Sequence, residues 1–538
     1  MRRALGLGLA ALALHLALIQ PNHPGALTWG ALRLLPLELP VILAALVALR
    51  GRAARALRAA LAALLLVVAV LKLADLAMFA AFRRGFNAAT DLSLAPDGWR
   101  LGAGAIGVGP AALAALGLVA AVAGLGAALW WATGRWAAVE PRPAGRAAAG
   151  GVAVLACAVV VAEIGEARGL WRLPLEPPGA AFTARVGLEH AALYGRTAAE
   201  LAAFAEAARA DPVAGAAPLL DRIGARDVLV VFVESYGRAS VDNPLYAPTH
   251  GATLAEAEAA LAAAGLAMRS AWLAAPTAGG QSWLSHATLA SGLAVTDGAR
   301  HRALLASPRQ GLFHLAQGAG FRTAAVMPAI TLPWPEAARM GFGTVLAAAD
   351  LGYRGAPFNW VTMPDQFTLL ALDRLLRDGP DPDPRPLFAQ VALISSHAPW
   401  TPIPPLIPWD AVGDGRVFDE WATAGDPPEV VWRDRDRVRA AYREAVDYAL
   451  RAALAYAERH AADPPLLVLL GDHQPARFVA GSDRRDVPVH LIGPPDLVAA
   501  AAGWGWSEGL LPAPDAPVWP MEAFRDRFLA AFSTGVGS

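Results

Sequence analysis

Cysteine and lysine are almost absent from this 538-residue chain, which has one cysteine, Cys157, and one lysine, Lys72. A single cysteine excludes an intramolecular disulfide framework and any zinc site built from several thiolates. Neither sign of charge is in excess, because 45 Lys+Arg residues balance 46 Asp+Glu residues. The chain therefore lacks the basic field of a nucleic-acid-binding protein. Any metal must be held by oxygen and nitrogen atoms.

Hydrophobic residues make up 56% of the chain and charged residues 17%, a mixture that is typical of a protein with both membrane and water-exposed parts. The apolar excess lies before about residue 165, in five stretches that are each near the ~20 residues needed to cross a bilayer. These stretches are residues 4–19, 34–49, 59–82, 105–133 and 147–164. We predict a five-helix transmembrane domain over residues 1–165, a linker and helical connection over 166–225, and an α/β domain over 226–538.

Arginines are concentrated at alternate ends of these stretches. They lie at the N-terminus, after the second stretch and after the fourth: Arg2, Arg3, Arg50, Arg52, Arg55, Arg58, Arg135, Arg142 and Arg146. Short loops rich in arginine stay in the cytoplasm. Five spans would then place everything after the fifth outside it. We expect a multi-pass protein of a bacterial-type cytoplasmic (inner) membrane, with its C-terminal domain on the periplasmic or extracellular side.

Ionisable residues fall within the apolar stretches, Glu38, Lys72 and Asp75 among them, and each charge there costs ~2.5–3.5 kcal/mol on insertion scales. Lys72 and Asp75 lie three residues apart, on one face of a helix. We interpret them as a mutual ion pair, with a relay or a lipid head-group site as the alternative. Glu38 is near the outer end of its stretch and is expected to reach the interface.

After residue 165 the apolar runs shorten to strand length and alternate with helical segments. The runs at residues 228–233, 323–327, 387–394, 466–470 and 487–492 predict a mostly parallel sheet covered on both faces. Ligands bind such sheets at the carboxyl ends of the strands. Three runs stop at polar residues there, namely Glu234, His397 and the pair Asp472-His473. Carboxylate and imidazole ligands suit zinc or manganese.

A candidate nucleophile lies in the segment APTAGGQSWLSHATLASGL. Gly279 and Gly280 permit a tight turn, and Ser282 begins a helical pattern whose N-terminus would attract an anion. Taken alone, Ser282 is better interpreted as a helix N-cap. Beside a metal site, a metal-activated alkoxide becomes the better interpretation.

The order of these residues resembles the alkaline phosphatase and sulfatase superfamily. Five spans before an extracytoplasmic domain resemble its membrane-anchored branch, which contains lipoteichoic acid synthase and the phosphoethanolamine transferases. The sulfatase nucleophile motif is C-x-P-S-R, followed by a Thr/Ser-Gly pair near the end of the helix. The segment SWLSH, which starts at Ser282, and the pair Ser291-Gly292 have the same spacing. This match selects Ser282 over Thr277 as the nucleophile.

The resemblance implies one divalent metal, Zn or Mn with Mg as a further candidate, while a second metal is left open. Ser282 would be both a ligand and the attacking group, and His397 would contact substrate. The four implied metal ligands are Glu234, Ser282, Asp472 and His473. Four further residues are candidates for substrate binding: His286, Trp334, Arg339 and His490. For His490, a satisfied histidine at a strand end is an equal alternative.

The implied function is the transfer of a phospholipid head group, of phosphoglycerol or phosphoethanolamine type, through a serine-linked intermediate. The donor would be a membrane phospholipid and the acceptor an envelope glycan or lipid. The chain departs from the sulfatases because its only cysteine lies in the fifth apolar stretch, so a cysteine-derived formylglycine cannot form beside the metal. A hydrolase of phosphate or sulfate esters is the second hypothesis. A non-catalytic membrane scaffold or transporter that uses Lys72 and Asp75 is the third.

Overall fold

The structure is a computed structural model that describes residues 2–82, 84–92, 95–96, 98–99, 103, 107–379 and 383–536. The contacts between residues divide the chain into two units, Met1–Leu201 and Ala202–Ser538, which we call the N-terminal and C-terminal units. The start of the fourth apolar stretch, residues 105 and 106, lies outside the described residues, as do the two ends of the chain.

The N-terminal unit is helical. Its helices are α1 (Arg2–Ile19), α2 (Glu38–Ala48), α3 (Gly51–Phe82), α4 (Ala88–Asp91), α5 (Val108–Ala137), α6 (Pro143–Ala167) and α7 (Phe182–Ala207), the last of which continues past residue 201. Within the described residues, four of them are long and apolar enough to cross a membrane, namely α1, α3, α5 and α6. The second apolar stretch forms the 11-residue helix α2 instead of a full-length span. Leu49 and Arg50 separate α2 from α3, and Gly51, at a φ of 60°, begins α3.

Lys72 and Asp75 do not form the predicted ion pair. Lys72 Nζ donates to the carbonyl oxygen of Leu18 at 2.8 Å and to Thr183 Oγ1 at 2.8 Å. Asp75 Oδ2 lies 3.0 Å from His190 Nε2. Their spacing puts both on one face of α3, but each side chain finds a closer partner on another helix.

Glu38 does not reach out to an interface, because its side chain is held by the start of α7. The residue is 8% exposed. Its Oε1 accepts the backbone N–H groups of Thr183 and Ala184 at 2.8 and 2.9 Å. These N–H groups belong to the first turn of α7 and would otherwise have no partner within the helix.

The C-terminal unit is built on a nine-stranded sheet in the order β4-β3-β5-β1-β6-β7-β2-β8, with β9 paired to β2. The strands are β1 (Val228–Val233), β2 (Ala267–Ala274), β3 (Arg322–Met327), β4 (Thr344–Ala347), β5 (Leu387–Leu393), β6 (Leu466–Gly471), β7 (Asp486–Gly493), β8 (Ser507–Glu508) and β9 (Val518–Pro520). From β4 to β6 all neighbours are parallel, whereas β7 is antiparallel to both β6 and β2. The sheet is therefore mixed, and the expected parallel arrangement holds for one side of it.

Helices cover the sheet. They are α8 (Ala239–Asp242), α9 (Ala247–Ala263), α10 (Ser282–Ser291), α11 (Gly298–Leu305), α12 (Leu312–Gly318), α13 (Asp365–Leu372), α14 (Asp419–Ala422), α15 (Pro428–Val431), α16 (Arg435–Arg459), α17 (Arg477–Ala480), α18 (Pro495–Ala499) and α19 (Ala523–Phe532). Alternate side chains of β1 enter two different hydrophobic clusters, with Val231 in one and Phe232 in the other. Apolar layers on both faces explain why β1 has no polar residue.

The central strands bring their carboxyl ends to one edge. In the parallel pairs, Val233 at the end of β1 is opposite Leu393 of β5 and Gly471 of β6. The residues that follow these three strands therefore emerge side by side. Gly471 is needed for this approach, since a Cβ atom at that position would lie 1.7 Å from the carbonyl oxygen of Tyr236.

Candidate active site

Glu234, Asp472 and His473 meet at this edge of the sheet. Each offers one ligand atom, and these atoms all lie within 4.8 Å of one another. All three residues are buried, with Glu234 8% exposed, Asp472 2% and His473 1%. The strand ends thus bring together the three metal ligands that the sequence predicts there.

The Asp472 carboxylate is held by two backbone N–H groups. Its Oδ1 accepts from Ser235 at 2.8 Å and from His473 at 2.7 Å. Ser235 has a φ of 57°, in the left-handed region that a residue with a side chain seldom adopts. This conformation directs the backbone N–H of Ser235 towards Asp472, which follows the neighbouring strand β6.

Ser282 is the first residue of α10 and faces the same cluster. Its hydroxyl donates to Glu234 Oε2 at 2.9 Å, and its Oγ lies 3.3 Å from His473 Nε2. The preceding residue, Gln281, has a φ of 65°. Gly279 donates its N–H to the carbonyl oxygen of Gln474 at 2.7 Å, which ties the turn before Ser282 to the residue after His473.

Charges inside the cluster shift the pKa values in opposite directions. Burial opposes ionisation of Glu234, but the charges of His473 and His397 outweigh it and hold the pKa of Glu234 well below its ordinary value. Burial and the negative charge of Glu234 raise the pKa of Asp472. Burial also opposes the charge on His473, but Asp472 and Glu234 raise its pKa to about 9.

The cluster has the composition of a divalent-metal site. Two buried carboxylates face a single imidazole, and among the described residues no arginine or lysine forms a hydrogen bond or ion pair with either carboxylate. Buried charges require an opposite charge or a metal. Two carboxylate groups, one imidazole and one hydroxyl are ligands that Zn²⁺ and Mn²⁺ accept, so the residues fit such an ion.

His397 follows β5 on the exposed side of the cluster. Its Nδ1 lies 2.5 Å from the carbonyl oxygen of Ala398, and its ring stacks on Trp360 with 6.2 Å between centroids. Its charge is one of those that lower the pKa of Glu234. The structure therefore brings His397 close enough to act electrostatically on the cluster, while its ring stays accessible.

The other two candidate histidines are buried. His490 is 0% exposed, and its ring nitrogens lie 2.7 Å from Ser270 Oγ and 3.1 Å from Tyr236 Oη. Burial lowers its pKa to about 3. This arrangement is the satisfied strand histidine that was the alternative for His490. His286 packs against Phe232, with 4.0 Å between ring centroids, and burial lowers its pKa to about 4.

Trp334 and Arg339 lie beside the sheet. Trp334 packs against the hydrophobic core, with its ring 6.1 Å from that of Phe342. Arg339 donates to the carbonyl oxygen of Leu305 at 3.2 Å. In the part of the chain that the structure describes, no hydrogen bond or ring contact joins either residue to the cluster around Glu234. Their contact with substrate stays a prediction.

Comparison with known families gives one match to the C-terminal unit. The family model described as Sulfatase matches residues 226–490. This region is a sulfatase-family domain. The match runs from just before β1 into β7, so it includes all four candidate metal ligands and His397. It assigns this domain to the enzymes of the alkaline phosphatase and sulfatase superfamily, as the sequence motifs predict.

Three solved structures of bacterial proteins are among those that match the chain. The phosphoethanolamine transferase EptA of Neisseria meningitidis is 12% identical, with a TM-score of 0.43, and the match covers 98% of this chain and 96% of that one. The phosphoglycerol transferase GacH of Streptococcus pyogenes is 13% identical, with a TM-score of 0.35 and coverage of 57% and 79%.

The lipoteichoic acid synthase LtaP of Listeria monocytogenes is 15% identical, with a TM-score of 0.35 and coverage of 50% of this chain and 67% of that one. Identities and scores this low carry no argument about the substrate of this chain. A search of curated proteins gives no match.

The sulfatase-family domain also contains supporting residues that sequence reasoning missed. Ser396 Oγ donates to the carbonyl oxygen of Glu234 at 2.6 Å. Asp365, at the start of α13, accepts the N–H groups of Ile394 and Ser395 at 2.7 and 2.9 Å and so holds the turn that leads to His397. Ser395 and Ser396, which directly precede His397, are the sequence feature that could have indicated these hydrogen bonds. Asp365 gave no such indication, because an aspartate at a helix start is ordinary.

Proposed function

We propose that this chain is a metal-dependent phosphotransferase that moves a phospholipid head group, of phosphoglycerol or phosphoethanolamine type, to an envelope glycan or lipid. The observation that carries the proposal is the position of Ser282. Its Oγ lies 2.9 Å from Glu234 Oε2 and 3.3 Å from His473 Nε2, at the N-terminus of a ten-residue helix. A hydroxyl so placed is a candidate nucleophile for an anionic ester.

The first half-reaction forms a phosphoserine diester. Ser282 Oγ attacks the phosphorus of the donor, and its proton leaves towards Glu234 Oε2, which the hydroxyl already faces. The bond between phosphorus and the diacylglycerol oxygen breaks, and His397 supplies the proton that this oxygen takes. The N–H groups at the start of α10 face the charge that builds up on the phosphoryl oxygens.

The second half-reaction returns the enzyme to its starting state. A hydroxyl group of the acceptor attacks the same phosphorus and gives its proton to His397. The bond to Ser282 breaks, and Ser282 Oγ takes back the proton that Glu234 received. Glu234, Ser282, Asp472 and His473 would hold the divalent ion, most simply Zn²⁺ or Mn²⁺. When bound, that ion would supply Lewis-acid stabilisation and lower the pKa of the Ser282 hydroxyl.

The site lacks a cysteine, which argues against sulfate ester hydrolysis by a cysteine-derived formylglycine. The only cysteine is Cys157 in α6, which belongs to the other unit. A family name describes ancestry and fold, whereas activity depends on the residues of the site. Serine chemistry on a phosphodiester is consistent with the residues that are present.

We propose that the segment containing the short helix α2 makes a fifth crossing, which would put the C-terminal unit outside the cytoplasm. Lys72 on α3 reaches Leu18 near the end of α1. Gly51, at the start of α3, is ~31 Å of helix away from Lys72, about the ~30 Å thickness of the hydrocarbon core. The segment that contains α2 must cover this distance. Five crossings with arginine-rich loops inside would give an extracytoplasmic catalytic unit.

The test is to trap the serine-linked intermediate. The full chain is incubated with phosphatidylglycerol or phosphatidylethanolamine that carries an isotope-labelled head group, without acceptor, and is quenched in acid. The tryptic peptide of residues 270–300 is then fragmented by mass spectrometry. We expect the label on Ser282, in the form of phosphoglycerol or phosphoethanolamine, together with release of diacylglycerol.

The matched control is Ser285→Ala. Ser285 lies on the same helix, is 0% exposed and has an Oγ without a hydrogen-bond partner among the described residues. Ser285→Ala should keep the adduct and Ser282→Ala should lose it. An adduct on Thr277, or full activity of Ser282→Ala, would overturn the assignment. If the chain instead hydrolyses soluble esters at a rate that does not change when an acceptor is added, that result would favour a hydrolase.

A further inference from the structure

The N-terminal unit contains an apolar cavity of about 600 Å³, within the ~300–1,000 Å³ of small-molecule sites. Residues from α1, α2, α3, α6 and α7 line it, and most of them are Leu, Val, Ile or Ala. The α3 residues of the lining run from Leu61 to Leu71. They extend over ~15 Å of helix, which is half of the ~30 Å hydrocarbon core. The cavity therefore matches an acyl chain of one leaflet in length and polarity.

Two buried polar atoms of the lining have no partner. Glu38 uses Oε1 to cap α7, while its Oε2 is buried and makes no hydrogen bond within the described residues. His190 contacts Asp75 through Nε2, and its buried Nδ1 is likewise unpartnered in the described part of the chain. Both residues line the cavity, and both are less than a tenth exposed.

These atoms lie towards one end of the helices. Glu38 is the first residue of α2, and Lys72, which bonds to the same residue of α7 as Glu38, reaches Leu18 near the end of α1. An unpaired carboxylate oxygen at membrane depth is costly unless a donor reaches it. The missing partner is an N–H or O–H group at the polar end of an otherwise apolar ligand.

We propose that this cavity is a lipid-binding site for one acyl chain of a membrane phospholipid whose head group carries a hydrogen-bond donor, and that Glu38 selects for that donor. The hydroxyls of a glycerol head group and the ammonium of an ethanolamine head group both provide it, whereas a choline head group has neither N–H nor O–H. The site rests on the membrane placement proposed above but not on the chemistry of Ser282.

The test is lipid binding to the purified full chain, measured by native mass spectrometry in detergent. Phosphatidylglycerol, phosphatidylethanolamine and phosphatidylcholine with the same acyl chains are titrated separately. A hydrogen bond to a charged group is worth roughly tenfold or more in affinity. We therefore expect the two donor-bearing lipids to bind about tenfold more tightly than phosphatidylcholine. Of these two lipids, the one that binds more tightly identifies the head group that the site prefers.

Two variants separate the polar and the apolar parts of the site. Glu38→Gln can still cap α7 through its amide oxygen but turns an N–H₂ group towards the ligand, so it should abolish the preference over phosphatidylcholine. Ala191→Trp fills the cavity and should weaken the binding of all three lipids. Its control, Ala192→Trp, changes a neighbour on α7 that is also exposed but does not line the cavity, and should leave binding unchanged.

Equal binding of the three lipids to the unmodified chain would overturn the proposal, because lipids at the outer surface of the helices would explain it. Equal binding by Ala191→Trp and Ala192→Trp would overturn it as well. Ser282→Ala should bind lipid as the unmodified chain does. A chain that shows lipid selectivity but forms no adduct on Ser282 would support the lipid site and contradict the proposed transferase.

Discussion

Ser235 donates its backbone N–H to Asp472 Oδ1 at 2.8 Å and adopts a left-handed φ of 57° in doing so. The bond joins the residues that follow two parallel neighbours, β1 and β6, whose last residues are in register. It directs one carboxylate of the cluster and fixes its distance from Glu234, which precedes Ser235. Such local strain persists only where the surroundings hold it, and it is common at functional sites.

Metal binding should depend on the charge of Asp472. Asp472→Asn has nearly the same shape and can still accept the N–H groups of Ser235 and His473 through its amide oxygen, but it loses a charged ligand. We expect affinity for Zn²⁺ or Mn²⁺ to fall by more than the ~10–100-fold that is typical of residues outside the ligand shell. Isothermal titration of the chelator-treated full chain measures this change.

The metal should also stabilise the chain. At an ion concentration of ~100 Kd it contributes ~2.7 kcal/mol to the free energy of unfolding, so the melting temperature should rise on metal addition. The rise should vanish in Asp472→Asn. It should persist in Asp483→Asn, because Asp483 is 70% exposed in a surface pair with Arg477. An equal rise in both variants would place the ion elsewhere.

Gly471 should not tolerate a side chain. A Cβ atom there would lie 1.7 Å from the carbonyl oxygen of Tyr236, and backbone cannot move away cheaply in a close-packed interior. We expect Gly471→Ala to cost about 3 kcal/mol of stability or more and to weaken metal binding, since Asp472 is the next residue. Gly503→Ala is the control, because nothing lies within 4 Å of a Cβ at that position. Similar melting temperatures for the two variants would show that Gly471 is not essential.

The ends of apolar strands made the cluster predictable. Glu234 and Asp472 each follow a continuous apolar run, and parallel neighbours place such ends together. The sequence could not reveal the left-handed Ser235, since serine is unusual there, or Gly471 as a contact residue. His490 shows the limit of the approach. A histidine in a strand looks the same in sequence whether it faces a metal or bonds to Tyr236 and Ser270 as this one does.

For the N-terminal unit, the sequence predicts where the long apolar helices lie but does not predict which residues contact one another. Long apolar runs gave α1, α3, α5 and α6, but the second run became the short helix α2. Spacing within one helix suggested that Lys72 pairs with Asp75. The actual partners, Thr183 and His190, are more than a hundred residues away. A periodic pattern contains no information about which distant helix supplies a partner.

Asp365 should make stability depend on pH. Burial raises its pKa to about 7, above the ~3.9 of an exposed aspartate. Between these values the folded chain holds a proton that the unfolded chain has lost, so stability should fall as pH rises from ~4 to ~7. Asp365→Asn can keep the contacts to Ile394 and Ser395 and cannot titrate. Its melting temperature, relative to the unmodified chain, should therefore rise between pH 4.5 and pH 8. A difference that does not change with pH would mean that Asp365 is ionised throughout.

His397 should matter most when the leaving group is poor. A diacylglycerol oxygen needs a proton as it departs, whereas a nitrophenolate does not. His397→Gln should therefore slow transfer from a phospholipid by ~10²–10⁴-fold, the usual contribution of a general acid. With a nitrophenyl phosphodiester the same substitution should have little effect. Metal content should be unchanged, since His397 is not among the clustered ligands.

The comparison of the two substrates distinguishes proton donation from substrate positioning. A histidine that only orients the phosphoryl group would act on both esters, because both contain it, and His397→Gln would then slow both to the same extent. The rate of Ser282 adduct formation from each ester, measured in a single turnover, isolates the first half-reaction. If His397→Gln slows adduct formation from both esters equally, His397 positions the substrate. If it slows adduct formation from the phospholipid alone, His397 protonates the diacylglycerol oxygen.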